Sequence, residues 1–323
     1  MLLISELVRF GRLLDDDWHC RAADDAAARW AADRPVFLRS SASHVLVAGR
    51  SEASRVVLRM RPPGADAFDV LGRGARVARD WHAAGGPVAA AVPSVAGGLV
   101  ETVGGYVVTA LEAVEGDALD EDTMEPGVAY GWGATVARAH ATGSAVGRAG
   151  LPTTESYLDA DATLPAEMAE VAVGLLADLD RLPRDAAVHG LLHGDPEPDN
   201  VVAGPDGPVL VDPDDVRVGW FASDAGFALR AWAWAPADDP CGVPDLAAPV
   251  PAAFLAGYRS VRPLTAEELG WLSLLARVAA WEDWCGLQPH VREPADPGWP
   301  EWALALDTRV RARVDRLAAA LLR

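Results

Sequence analysis

The densest chemistry in the sequence lies between residues 192 and 215. There Leu192-His193-Gly194-Asp195-Pro196-Glu197-Pro198-Asp199-Asn200-Val201-Val202 is followed by Gly207-Pro208-Val209-Leu210-Val211-Asp212-Pro213-Asp214-Asp215. These residues read as a loop carrying an acid and an amide, a strand, a Pro-Asp-Gly turn at 205–207 and a second strand that ends in acids. Asn200 and Asp212 then stand at the two ends of a tight hairpin. Hard oxygen donors in that relation suit a magnesium ion, which prefers one or two carboxylates completed by waters and substrate phosphates. Asp195, five residues before Asn200, faces such a metal without ligating it. A carboxylate that orients or deprotonates a hydroxyl, beside a metal that neutralises phosphate charge, is what phosphoryl transfer demands.

The elements that would position this loop differ on its two sides, because the pattern changes character near residue 115. Before it come short β-like runs at 36–38, 45–48, 55–59 and 106–111, separated by Gly, Ser and Pro turn signals. After it, apolar residues recur at helical spacing over 128–140, 166–182, 251–258, 265–287 and 302–322. Leu264-Thr265 followed by Glu267 and Glu268 reads as a capped helix start. The pattern predicts a small N-terminal sheet with one helix, about 70–84, and a larger, mainly helical C-terminal part. Leu111-Glu112-Ala113-Val114-Glu115-Gly116 is the connection, with lobes over 1–113 and 114–323.

His193-Gly194-Asp195-Pro196-Glu197-Pro198-Asp199-Asn200 resembles the H-x-D-x-x-x-x-N catalytic loop of aminoglycoside phosphotransferases and their choline- and homoserine-kinase-like relatives. The resemblance covers most of the chain and implies an α+β, protein-kinase-like bilobal fold with a nucleotide-binding N-terminal lobe and a catalytic, acceptor-binding C-terminal lobe. It implies Asp195 as catalytic base, His193 as a brace of the loop, and Asn200 and Asp212 as ligands of Mg2+. Asp224, in Gly219-Trp220-Phe221-Ala222-Ser223-Asp224-Ala225-Gly226, is similar to the aspartate that begins a helix and buttresses that loop. Ala137-Arg138-Ala139-His140 is similar to the family's helix end, with His140 structural, and Gly116-Asp117-Ala118-Leu119 to the segment after its hinge.

In the N-terminal lobe the resemblance implies Arg59 as the basic residue that grips the phosphates of ATP (or GTP). The phosphate-covering turn is Ser40-Ser41-Ala42-Ser43-His44, which puts Ser41 and Ser43 near nucleotide, with Glu112 and Ala113 contacting it at the hinge. Two positions depart from the family pattern. Gly74 stands where a helix glutamate usually pairs with the basic strand residue, with Asp66, Asp69 or Asp80 as replacements. Glu197 stands where protein kinases have a lysine near the transferred phosphate, and an anion there suits a cationic acceptor.

Other residues carry open alternatives. Asp214 and Asp215 either support the site or form a solvated acidic turn. Trp232, Trp234, Trp271, Trp281 and Trp284 either line an acceptor pocket or pack in the core. Asp238, Asp239 and Asp245 are places for acceptor amines. Val209-Leu210-Val211-Asp212-Pro213-Asp214-Asp215-Val216 also resembles the nucleophile motif of haloacid-dehalogenase-like phosphatases, with Asp212 phosphorylated. The absence of the helix glutamate motivates a third reading, a pseudokinase that binds without catalysis.

Composition narrows the classes. The chain has 323 residues, half of them hydrophobic, so it folds as an enzyme-sized unit. A formal charge of −19 repels phosphate backbones and anionic lipid, which excludes nucleic acid and membrane as partners and leaves nucleotide and a small-molecule acceptor. All 28 basic residues are arginine; with no lysine anywhere, Schiff-base, pyridoxal and Walker A chemistry are excluded. Cys20, Cys241 and Cys285 show no disulfide or zinc spacing. With no h-region and no long apolar span, a cytoplasmic location is the expectation. The acceptor is then an aminoglycoside-like antibiotic or another amine-bearing metabolite, and oligomeric state leaves no trace.

Overall fold

The computed structural model describes residues 1–51, 54–64, 66–158, 164–233 and 239–323. Trp234 and Asp238 lie outside the described residues. The chain forms two compact units. The first comprises Met1–Arg79, Ala89–Val114 and Leu287–Ala312; the second comprises Asp80–Val88, Glu115–Gly286 and Arg313–Arg323. The division is therefore not a single cut near the expected connection: the chain enters the second unit at 80–88 and rejoins the first at 287–312.

The first unit opens with α1 (Ile4–Gly11) and α2 (Arg21–Ala28), followed by β1 (Asp33–Ser40), β2 (His44–Ser51) and β3 (Ser54–Arg61). Then come α3 (Ala67–Ala83), which continues into the second unit, β4 (Val100–Val103) and β5 (Tyr106–Glu112). The strands make one antiparallel sheet in the order β1-β2-β3-β5-β4. In β3 the alternation Val56, Leu58, Met60 sends every second side chain into a core shared with Leu46, Trp30, Phe10 and Val108. On another side Ala67 and Leu71 of α3 pack on Val107 and Val100. The sequence pattern gave only one helix here; α1 and α2 are eight residues each, too short to display a sustained period.

The second unit contains α4 (Pro126–Gly143), α5 (Ala166–Leu179), β6 (His189–Leu192), β7 (Val201–Gly204), β8 (Gly207–Leu210), β9 (Arg217–Trp220) and α6 (Phe221–Ala228). It is completed by α7 (Pro249–Arg259), α8 (Ala266–Gly270), most of α9 (Leu272–Arg292) and the end of α10 (Glu301–Leu321). β7 and β8 form the expected hairpin, and β6 pairs antiparallel with β9. Thr265 and Glu268 form a capping box at the start of α8. The single helix expected over 265–287 is instead broken after Gly270, a residue of low helix propensity. α4 and α7 cross at two glycines. A Cβ on Gly133 would stand 2.0 Å from the Phe254 carbonyl oxygen, and one on Gly257 would stand 1.9 Å from that of Tyr130.

Candidate active site

The residues from β6 to α6 are folded around one buried carboxylate. Asp224, 1% exposed, accepts the backbone N–H of His193 at 2.8 Å on one oxygen and that of Gly194 at 3.0 Å on the other. His140 of α4 meets the first oxygen through Nε2 at 2.9 Å and meets the Tyr258 hydroxyl through Nδ1 at 2.8 Å. Arg262 donates to the same hydroxyl, so the hydroxyl proton goes to Nδ1 and Nε2 carries the proton that it donates to Asp224. Burial is the largest influence on both partners. It holds the His140 imidazole below its ordinary value, hence neutral. It pushes the Asp224 carboxyl up, but the hydrogen bond from His140 and the N–H of His193 bring that group below the ordinary carboxylate value. A loop whose first two N–H groups are taken by a permanent anion cannot drift.

Gly194 adds a second constraint. Its φ is +88°, and a Cβ there would stand 2.1 Å from the Asp215 carbonyl oxygen, so only glycine lets the loop lie against the backbone after β8. From the other side Arg217 of β9 donates to the Gly194 carbonyl at 3.1 Å and to Glu282 of α9 at 2.5 Å, with its guanidinium 4.9 Å from the Tyr157 ring centre. Trp132 of α4 donates to the Pro196 carbonyl at 3.1 Å. His193 Nε2–H donates to the Val211 carbonyl at 2.9 Å, which ties the loop to the residue before Asp212.

The side chain so presented is Asp195. Its Oδ2 accepts from the Asn200 amide at 2.9 Å, and the same amide nitrogen donates to the Asp195 carbonyl at 3.1 Å. Its Oδ1 is buried and has no hydrogen-bond partner among the described residues. Burial first, then the charges of Glu197, Asp215 and Asp212, hold this carboxyl well above the ordinary aspartate value, against the opposing charge of Arg230. Asn200 and Asp212 flank the β7–β8 hairpin, whose ends are joined by Val211 N–H to Asn200 carbonyl at 2.9 Å. Asp212 itself adopts left-handed backbone, φ 63° and ψ 67°, which turns its side chain out of the strand direction. No group of three or more His, Cys, Asp or Glu among the described residues is placed to hold a metal alone. One amide and one carboxylate oxygen fit a magnesium ion whose other ligands are water and phosphate oxygens.

Beside the loop lies a cavity of about 860 Å³, wholly within the second unit and lined by Gly194 and Glu197, the residues on either side of Asp195–Pro196. Leu272, Leu275 and Val278 of α9 give it an apolar wall. None of Trp232, Trp271, Trp281 and Trp284 lines it; Trp281 and Trp284 are buried in packing. Asp239 lines it and lies 3.4 Å from Arg323, whereas Asp245 is exposed and does not. Asp214 is buried and Asp215 is exposed. Glu197 is ion-paired with Arg230, a partner that sequence spacing could not reveal; the same holds for Arg217 with Glu282 and for Tyr258 with His140.

The expected nucleotide residues lie in the first unit. Arg59, 3% exposed, sits on β3 between Val45 of β2 and Thr109 of β5. Ser41 is half-buried, and its carbonyl accepts Leu2 N–H at 2.7 Å. Ser43 is fully buried, its hydroxyl without a hydrogen-bond partner among the described residues. His44 fixes this turn, hydrogen-bonded to Glu6 of α1 at 3.0 Å and stacked on Phe10. Glu112 is exposed and its N–H donates to the Ala90 carbonyl at 2.8 Å, while Ala113 N–H donates to that of Arg55 at 3.1 Å. α3 contains no glutamate, and Gly74 on it is buried.

Known structures share this architecture. An amicoumacin kinase in complex with AMP-PNP, Ca2+ and Ami superposes with a TM-score of 0.66 at 18% identity, covering 96% of this chain and 92% of that one. A microcompartment-associated aminopropanol kinase gives 0.60 at 18% identity, covering 92% and 97%. A choline/ethanolamine kinase family protein from Mesorhizobium loti gives 0.56 at 16%, covering 99% of both chains. No curated protein sequence matches. The kinase-like fold thus rests on structure rather than on sequence identity, and it is the fold that the loop, hairpin and buttress build here. Residues 36–264, more than half of the chain, match the family model described as "Phosphotransferase enzyme family", so the chain belongs to that aminoglycoside-phosphotransferase-type family.

Proposed function

We propose that the protein transfers the γ-phosphate of ATP to a hydroxyl of an amine-bearing small molecule, with magnesium. The observation that carries this reading is Asp195: one oxygen is fixed by Asn200, and the other is buried, unpartnered and of raised basicity beside a cavity of drug-like size. In the proposed step Asp195 Oδ1 takes the acceptor's hydroxyl proton as the acceptor oxygen bonds to the γ-phosphorus. The bond from that phosphorus to the β,γ-bridging oxygen breaks, and ADP leaves with its electron pair. Asn200 and Asp212 would hold magnesium, which would neutralise charge on the phosphates. His193, Asp224, Arg217 and Trp132 hold the loop still, so that the base is aimed before substrate arrives. On the nucleotide side the reading assigns phosphate contact to Arg59 and to the 40–44 turn through its backbone and Ser41, and base contact to the Glu112–Ala113 backbone. Asp214 supports the hairpin end, and Glu197 faces the acceptor.

Magnesium-dependent ADP release from ATP, measured with pooled aminoglycosides, choline-like amines and amino alcohols beside Asp195→Asn, tests the reading. A pool that stimulates release by the wild type and not by the variant supports it. Equal stimulation of wild type and Asp195→Asn overturns Asp195 as the base.

A further inference from the structure

The 40–44 turn is clamped by the first ten residues of the chain. At its tip, Leu2 N–H donates to the Ser41 carbonyl at 2.7 Å. At its base, Ser40 and His44 face each other where β1 pairs with β2. There the Ser40 hydroxyl meets His44 Nδ1 at 2.7 Å, and His44 Nε2 meets Glu6 Oε1 of α1 at 3.0 Å. Burial holds the His44 imidazole below its ordinary value, hence neutral. Burial pushes the Glu6 carboxyl up, but the hydrogen bonds from His44 and Arg9 bring it below its ordinary value, so it is ionised. An ionised acceptor fixes the tautomer: Nε2–H donates to Glu6, and Nδ1 accepts the Ser40 hydroxyl. Glu6 is held in turn by Arg9 at 2.6 Å and by the Tyr106 hydroxyl at 3.4 Å, and Phe10 of the same helix stacks on the His44 ring at 3.7 Å. His44 is fully buried and Glu6 is 8% exposed.

What the clamp leaves over is a pair of donors at the tip. Ser41 N–H is engaged by the Ser43 carbonyl at 3.0 Å, whereas the Ser41 hydroxyl and the Ala42 N–H, both on half-buried residues, make no hydrogen bond among the described residues. The turn has no glycine, and α1 lies before residues 36–264 that match the family model, so the family assignment does not account for a buried carboxylate at position 6. We propose that Glu6 is a positioning residue for nucleotide: acting through His44, it holds the 40–44 turn with the Ser41 hydroxyl and Ala42 N–H set for the phosphates before ATP arrives. A turn already fixed loses little conformational freedom on binding, and that saving appears as affinity for the phosphates alone. The assignment rests on the phosphotransferase reading above and deepens it.

Calorimetric titration of the full-length protein with Mg·ATP and with adenosine, which has no phosphates, tests it. Glu6→Ala takes the acceptor from His44 Nε2–H and should weaken Mg·ATP binding about tenfold, the size of one hydrogen bond to a charged group, while adenosine binds as it does to the wild type. Glu6→Gln keeps a carbonyl oxygen for that N–H and should stay within about threefold of the wild type for Mg·ATP. Ser40→Ala removes the hydroxyl on Nδ1, should shift the ratio of the two affinities in the same direction as Glu6→Ala by about threefold, and decides the question if Glu6→Ala does not fold. Val8→Ala, on the same helix but packed on Trp299 and Ala303, is the stability control and should leave that ratio unchanged. In turnover the Glu6→Ala effect should fall on KM for ATP, with kcat and the acceptor KM nearly constant. An unchanged ratio in Glu6→Ala and Ser40→Ala overturns the proposal, as does an equal loss of both ligands in Glu6→Ala, a Glu6→Gln variant as weak as Glu6→Ala, or a Val8→Ala variant that shifts the ratio as much. A wild type that binds neither ligand overturns the phosphotransferase reading itself.

Discussion

A carboxylate that must accept an alcohol's proton gains from a raised pKa, and burial beside Glu197 and Asp215 gives Asp195 that property while destabilising the fold. Asp195→Asn should therefore lower kcat by roughly 10²–10⁴-fold, the range for loss of a general base, with Mg·ATP affinity nearly unchanged. It should also raise stability at pH 8, where the buried wild-type carboxyl must ionise against burial and the charges of Glu197 and Asp215. The sign follows from proton counting. A raised carboxyl binds more protons folded than unfolded, so the wild type regains stability as pH falls and the variant's advantage shrinks. Thermal melts of both proteins from pH 8 to pH 5 check this; an advantage that grows toward acid contradicts it. Asp224→Ala strands two buried backbone N–H groups, at about 1–3 kcal/mol each, and an unchanged denaturant midpoint would show that they find other acceptors. The residues of the proposed site that the structure brings together, His193, Asp195, Asn200 and Asp212, could be singled out because they sit at fixed spacings in one continuous segment. Arg217, Glu282 and Arg230 could not, because the partner of each lies 33 to 65 residues away.

The hairpin β7–β8 is the element on which the site turns, and it was readable from Pro205-Asp206-Gly207 between two apolar runs. The four-residue strands β4, β6 and β9 were not, since four residues seldom show two full alternations, and β6 and β9 pair with each other across more than twenty residues. Periodicity likewise located α4 and α7 without showing how closely they meet. Gly257→Ala would push a methyl group onto the Tyr130 carbonyl and should cost roughly 1–3 kcal/mol by overpacking. Gly286→Ala, also in a helix but with open space around its Cβ, should instead stabilise by about 0.5–1 kcal/mol. Chemical denaturation of the two variants separates a steric contact from helix propensity; a loss at both sites or at neither contradicts the crossing.

On the scale of the whole chain, composition said what the protein is not, and burial now says how it responds to acid. Burial holds His44, His140, His189 and His290 below the ordinary imidazole value. Such a histidine is neutral when folded and protonated when unfolded at mildly acid pH, so the unfolded chain binds more protons and stability falls as pH drops below about 6.5. Asp195, Glu197 and Glu282, all raised by burial, act in the opposite sense. Asp195→Asn removes one of these opposing groups, so its melting temperature should fall more, or rise less, than that of the wild type from pH 7 to pH 5, and parallel profiles would contradict the raised Asp195. The sequence also implied two lobes with one boundary. What it hid is that 80–88 and 287–312 each join the unit opposite to the one their position suggests, because unit membership is set by packing between distant segments rather than by local pattern. The decisive experiment follows the γ-phosphate of labelled ATP into product with wild type, Asp195→Asn and Asp212→Asn. A phosphomonoester on the acceptor from the wild type alone is the result that the phosphotransferase reading predicts. Label found on Asp212 as an acyl phosphate, or transferred equally well by the Asp195 variant, would contradict it.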